Sequence, residues 1–409
     1  MKLFRKSLAC MLSLLLAVLA LSPALAAVDT VDVSRPANAH LSFNADGKLK
    51  ILQVADLQDD ARLDSLARKS LVRAIEETRP DLIMLTGDNI AGYSCSTVIA
   101  ASNAINNYMS LFEEYGIPVA MVFGNHDDDE TPYTKLEQIE QYESYNCFIG
   151  CAGVVAEKTV GENSTINAGT YNIPVYESAD SDRVLFNIWC FDSGNYNPDE
   201  EYGGYGYVLP EQVEWYKAKS DELKAANGGV PVPSIAFQHI VPPQITSVLK
   251  EVPAGTDGAL EMKSTGKYYT LPDDVDPTAN WMKEIPSPPN VNFEPGYAEV
   301  DAMLEKGDVK AIFFGHDHIN SYILNYLGID LVNSPGCCFA SYNDNHRGYR
   351  VITIDKNNPD VYETYLVTTE YLLRDNPADS SELKVRSFLD VIANMLKELF
   401  ARLLAAFSR

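Results

Sequence analysis

Five short apolar segments of this chain each stop at side chains that can bind a metal. Lys48 to Ala55 (KLKILQVA) runs into Asp56 and Gln58, and Leu82 to Thr86 (LIMLT) into Gly87-Asp88-Asn89. Val119 to Phe123 (VAMVF) runs into Gly124-Asn125-His126-Asp127, Ser234 to Gln238 (SIAFQ) into His239, and Val309 to Phe314 (VKAIFF) into Gly315-His316-Asp317-His318. Helical patterns over Asp64 to Thr78 and Ile99 to Tyr115 separate the first three. Strands alternating with helices of this length form βαβ units, hence an α/β fold. Ligands of open α/β folds bind beyond the carboxyl ends of the strands, so the five ends should share one rim. Four of the six histidines lie there.

The rim has the chemistry of a dinuclear metal centre. His316 and His318 are two apart, and on extended backbone both would leave the same face, one for each of two neighbouring metals. Asp88 has two oxygens and can bridge them. Two metals roughly 3.5–4 Å apart are the usual machinery of phosphoester hydrolysis. The formal charge of −25 argues against nucleic acid as a partner, because such binders carry basic stripes. A small phosphorylated substrate is not excluded, since bound cations would meet its charge.

The order D-x-Q, G-D-N, G-N-H-D, H, G-H-x-H resembles the calcineurin-like metallophosphoesterase superfamily, and within it the compact purple-acid-phosphatase-like branch. The flanking text (ILQVADL, MLTGDNI, MVFGNHDDD, FFGHDHIN, RGYRVITID) carries the resemblance over about residues 46 to 370. It implies a two-sheet α/β sandwich with helices on its outer faces. It implies a phosphohydrolase attacking with metal-bound hydroxide, preferably on phosphomonoesters. The alternatives are a phosphodiesterase or nucleotidase of the same fold, and a non-catalytic metal- or phosphate-binding surface protein. By position, one metal would take Asp56, Gln58, Asp88 and His318, the other Asp88, Asn125, His239 and His316. His126 would protonate the leaving group, with Asp127 holding its ring. Asn89 and Asp192 are candidate substrate contacts.

Gln58 departs from the D-x-H that most of the family carries. Its amide oxygen, or a water or nearby Asp59 or Asp60 in its place, makes the first site rich in oxygen donors. Mn, Fe or Mg is then favoured, with Zn an option at the second site. Ala91 occupies the place of the purple acid phosphatase tyrosine, and Tyr93 lies two positions late, so no tyrosinate colour is expected.

The remaining segments are read as follows. Residues 1–26 have the grammar of a secretory signal peptide: Lys2, Arg5 and Lys6, an apolar stretch, then Ala24-Leu25-Ala26. A secreted or extracytoplasmic location follows, and association with the cell surface is an option. Residues 27–45 are a lead-in, and 46–370 the metallophosphoesterase domain. Within it, 250–296 form an insertion that is either a cap over the substrate or a surface excursion. Residues 371–409 are a linker and an amphipathic helix, packed on the body or a second chain, or lying on a membrane surface. Cys147 and Cys151 are the nearest pair for a disulfide.

Overall fold

The computed structural model describes residues 40–150, 169–199, 201–293, 296–389 and 392 of the 409-residue chain. The expected signal peptide and Cys151 lie outside them. The five described cysteines form no disulfide with one another.

Strand β1 (Lys48–Val54) leads through helix α1 (Ser65–Thr78) to β2 (Leu82–Thr86), and through α2 (Val98–Tyr115) to β3 (Val119–Val122). Asp64 caps α1 by accepting from Leu66 and Ala67, and Thr97 caps α2. Gly116 ends α2 in the left-handed conformation, where an added Cβ would cost strain. The chain continues through α3 (Lys135–Glu143), β4 (Tyr171–Tyr176), β5 (Val184–Cys190), α4 (Pro210–Ala226) and β6 (Ser234–Phe237). Strands β7 (Lys250–Val252), β8 (Leu260–Met262) and β9 (Lys267–Thr270) form a small antiparallel sheet. Then come α5 (Glu299–Lys306), β10 (Val309–Phe314), β11 (Tyr322–Tyr326), β12 (Ile329–Asn333), β13 (Gly348–Asp355) and β14 (Tyr362–Thr368).

Two sheets form the body. One has the order β14-β13-β1-β2-β3, with β1, β2 and β3 parallel. The other has the order β11-β12-β10-β6-β5-β4, with β12, β10, β6 and β5 parallel. The main core joins them: Ile51, Leu85 and Val122 of the first sheet cluster with Ile188, Phe237 and Phe313 of the second. Burying apolar surface of this kind contributes on the order of 25 cal/mol per Å². A polar seam crosses the same gap. Ser334 donates to Gln53 Oε1 at 2.7 Å, and Gln53 Nε2 donates to Thr86 at 3.1 Å. The expected α/β sandwich is therefore present.

The insertion contacts the body. Its small sheet is followed by residues that strap the loop after β10. Trp281 pairs with Ser321 as an isolated bridge, and Lys283 and Glu284 donate their N–H groups to Asn320 Oδ1. The C-terminal helix begins at 377 in the described residues. Asn376 caps it by accepting from Ala378 and Asp379. Leu383 packs on Leu66 and Leu373, and Arg386 pairs with Asp64, so the start of this helix lies on the body. Val385, Phe388 and Leu389 remain exposed. Most of its expected apolar face lies outside the described residues.

Candidate metal centre

The carboxyl ends of β1, β2 and β3 meet those of β6 and β10 across the gap between the sheets. Asp56, Asp88 and His318 each offer a ligand atom, all within 4.8 Å of one another. All three are buried. His318 Nε2 lies 3.4 Å from Asp56 Oδ1, while its Nδ1 faces the Tyr342 carbonyl at 2.8 Å. That carbonyl can only accept, so it fixes the proton on Nδ1 and leaves Nε2 with its lone pair toward the centre. Gln58 Oε1 is buried and has no hydrogen-bond partner among the described residues. The Gln58 backbone N–H bonds the Asp88 carbonyl at 2.8 Å, and an orphaned amide oxygen on such a residue fits a cation, since a buried acceptor left unpaired is otherwise costly.

On the other side of Asp88, His239 Nε2 lies 3.3 Å from Asp88 Oδ2 and 3.1 Å from Asn125 Oδ1. Its Nδ1 faces the Thr86 carbonyl at 3.0 Å, the same tautomer-fixing arrangement. The His316 ring stands edge-on to His239, with centroids 5.1 Å apart. Asp88 thus lies between two donor sets. Burial would raise its carboxyl, but His239 outweighs this and holds it below the usual range. His239 is correspondingly raised to about 9: burial pulls it down, and Asp88 and Asp56 push it up further.

The backbone shows why these turns carry these residues. Among the described residues, seven non-glycine positions have positive φ, and four are Asp56, Gln58, Asp88 and His316. Left-handed backbone at such residues persists only where surrounding structure enforces it. It also corrects the expectation for the G-H-x-H segment. His316, at φ 72°, starts a turn in which Asp317 N–H bonds the Gly315 carbonyl, so a turn and not an extended strand places the two imidazoles. The glycines before the ligands are sterically required. A Cβ on Gly124 would lie 2.3 Å from Asp88 Oδ1, one on Gly87 2.5 Å from His239, and one on Gly315 2.5 Å from Asp56 Oδ2.

Three expectations are corrected. Asp127 does not hold His126. It is fully buried, and its oxygens accept from the N–H groups of Gly124 (2.6 Å), Asn89 (2.7 Å) and Ile90 (3.1 Å), which clamps two ligand loops together. Asp129 Oδ2 instead bonds His126 Nδ1 at 2.5 Å. Burial lowers the His126 pKa, but the Asp129 bond and the Asp88 charge outweigh it and raise the group. Asn89 is not placed for substrate: its amide donates to the Val122 carbonyl at 3.0 Å and to Asp127. Asp192 is buried against Lys135 at 3.2 Å and accepts from Gly194, so it secures a loop. Asp59, the alternative to Gln58, accepts from Asp60 and Asp64 and is engaged locally.

Several residues at the centre escaped sequence reasoning. Lys135, buried and bonded to Asn195 at 2.8 Å, sits on α3. The capping box Thr134 to Glu137 announces that helix and was the available signal. Glu284, from the insertion, accepts from Ile319 N–H and from the Tyr342 hydroxyl, both at 3.1 Å. Tyr342 also stacks on His318, with centroids 4.3 Å apart. Nothing local marks Glu284 or Tyr342. Tyr93 places its ring edge-on to His126 at 5.1 Å.

A family model described as calcineurin-like phosphoesterase matches residues 49–320. Among curated proteins, "Probable inactive purple acid phosphatase 28" of Arabidopsis thaliana is 27% identical over 353 residues, 79% of each chain. "Phosphatase DCR2" of Saccharomyces cerevisiae is 23% identical over 68% of this chain and 45% of its own length. Among solved structures, a dimetal phosphatase from Danio rerio is 12% identical, covering 78% of this chain and 99% of that one, with a TM-score of 0.44.

Proposed function

This chain belongs to the calcineurin-like phosphoesterase family, and from that premise we propose that it is an exported phosphohydrolase that works with two metal ions and prefers phosphomonoesters. The observation that carries this reading is the pair of donor sets on either side of Asp88, together with a buried Gln58 oxygen that has no partner among the described residues. Asp56, Gln58, Asp88 and His318 would hold one ion, and Asp88, Asn125, His239 and His316 the other. The first set is mostly oxygen and suits Mn, Fe or Mg; the imidazoles of the second also suit Zn. When bound, such ions supply Lewis acidity and lower the pKa of water.

The chain's own residues do the rest. Asp88 spans both sets and keeps them adjacent. The Thr86 and Tyr342 carbonyls hold His239 and His318 in the tautomer that presents Nε2. His126 is 30% exposed, so substrate can reach it, and Asp129 holds its Nδ1. Its Nε2 is then the atom that hands a proton to the leaving oxygen. Export rests on the pattern of residues 1–26.

A second reading, a metal-binding protein without turnover, is favoured by the names of relatives called inactive. The filled ligand set weighs against it. The test is hydrolysis of p-nitrophenyl phosphate and its bis ester across Mn, Fe, Mg and Zn. We expect monoester turnover that His239→Ala abolishes, with loss of one bound metal. A metal-loaded protein that cleaves neither ester would establish the second reading. Replacing Gln58 with His should raise zinc affinity; an unchanged affinity, read by competition with a chelating dye, would show that this position does not touch the metal.

A further inference from the structure

Tyrosine rings stand against two imidazoles of the metal centre, where the proposed reaction gives them no role. The loop after β5 returns on itself, with Tyr196 and Tyr205 paired as an isolated antiparallel bridge and their rings nearly parallel, 16° apart. Tyr205 meets the His316 ring edge-on, with centroids 4.3 Å apart. Tyr196 lies outside it and is 59% exposed. Tyr93, 37% exposed, stands against His126. Rings therefore flank both the imidazole expected at the leaving group and an imidazole of the second donor set. Tyr205 and Tyr93 thus stand against the centre, with Tyr196 one ring further out.

This wall is built and held. Lys135 and Asp128 both bond the Asn195 side chain, at 2.8 and 2.5 Å, which ties the tyrosine loop to the His126 loop. Ser193 accepts from Ile240 N–H at 3.0 Å, which ties it to the His239 loop. An added Cβ on Gly206 would lie 2.5 Å from the Ser193 carbonyl, so the turn is close-packed. A fixed aromatic face costs little conformational entropy when a flat ligand settles on it.

We infer that Tyr196, Tyr205 and Tyr93 select phosphomonoesters whose alcohol carries a planar aromatic ring, the ring stacking on Tyr196 while the phosphate occupies the metal centre. This deepens the phosphomonoesterase reading and rests on it. Stacking a base on an aromatic side chain is worth about 1–3 kcal/mol. Tenfold corresponds to about 1.4 kcal/mol.

Adenosine 5′-monophosphate and ribose 5-phosphate test this, since they release the same kind of primary alcohol and differ by the ring. With metal-loaded protein, kcat/KM should favour the nucleotide about tenfold or more. Tyr196→Ala should bring the ratio toward one, and Tyr196→Phe, which keeps the ring, should preserve it. A wild-type ratio near one, or a ratio that Tyr196→Ala leaves unchanged, overturns the inference while the phosphomonoesterase reading stands. Failure to hydrolyse any monoester overturns both.

Discussion

One residue of spacing separates two different jobs after the Gly-Asn-His turn. Asp127 faces inward and gathers backbone N–H groups, whereas Asp129 comes round to the imidazole. Substitutions should separate the two roles. Asp127→Ala leaves buried donors unpaired, at about 1–3 kcal/mol each, and should lower the melting temperature markedly. Asp129→Ala should melt near wild type and slow turnover most for poor leaving groups, as His126→Ala would. Thermal melts beside rates on alkyl and aryl phosphates check this; equal melts for the two variants would contradict it. The sequence carries the candidate ligands openly, because Asp56, Asp88, Asn125 and the histidines sit in fixed motifs. It does not say which carboxylate of Asp127-Asp128-Asp129 reaches His126, because the path of the folded turn decides that. For the same reason Asn89 and Asp192, polar and well placed in the chain, turn out to be spent on the loops themselves.

At the scale of elements, the β-strands and helices of the first half were readable from apolar runs and caps, and so was the shared rim. The insertion was not. Its contribution depends on Trp281 and Glu284 meeting a loop that follows β10, and no local periodicity encodes a contact of that kind. Glu284 accepts from both the Ile319 N–H and the Tyr342 hydroxyl, and Tyr342 presents the carbonyl that orients His318. Glu284 is therefore a positioning residue for a candidate metal ligand. Partners of this type commonly account for 10–100-fold in metal affinity. Glu284→Ala should weaken binding at the first site by about that factor, read by metal titration of the folded protein, and leave the second site occupied. Equal weakening at both sites would point to general loosening instead.

For the molecule as a whole, acidity has a measurable consequence in the core. Glu299 is buried on α5, and burial raises its carboxyl to about 8. Below the ordinary carboxyl range, folded and unfolded chains both hold this proton. Between that range and about pH 8 the unfolded chain has released it and the folded chain has not. Stability must therefore fall as pH rises through this interval and level off above it. Glu299→Gln removes the effect, worth on the order of 3–5 kcal/mol, so the variant should gain on wild type between pH 5 and 8.5 in denaturant melts. Parallel curves would show that Glu299 ionises without cost.

The centre takes Asp56, Asp88 and Asn125 from one sheet and His239, His316 and His318 from the other, and Asp56 contacts His316 across 260 residues of chain. Contacts of such separation form late, because the intervening loop must close first. A nascent chain that has reached only the loop after β3 holds three of these residues and no centre. Appearance of the metal site during refolding is thus a clock for the docking of the two sheets, and it can run no faster than the slowest step of assembly.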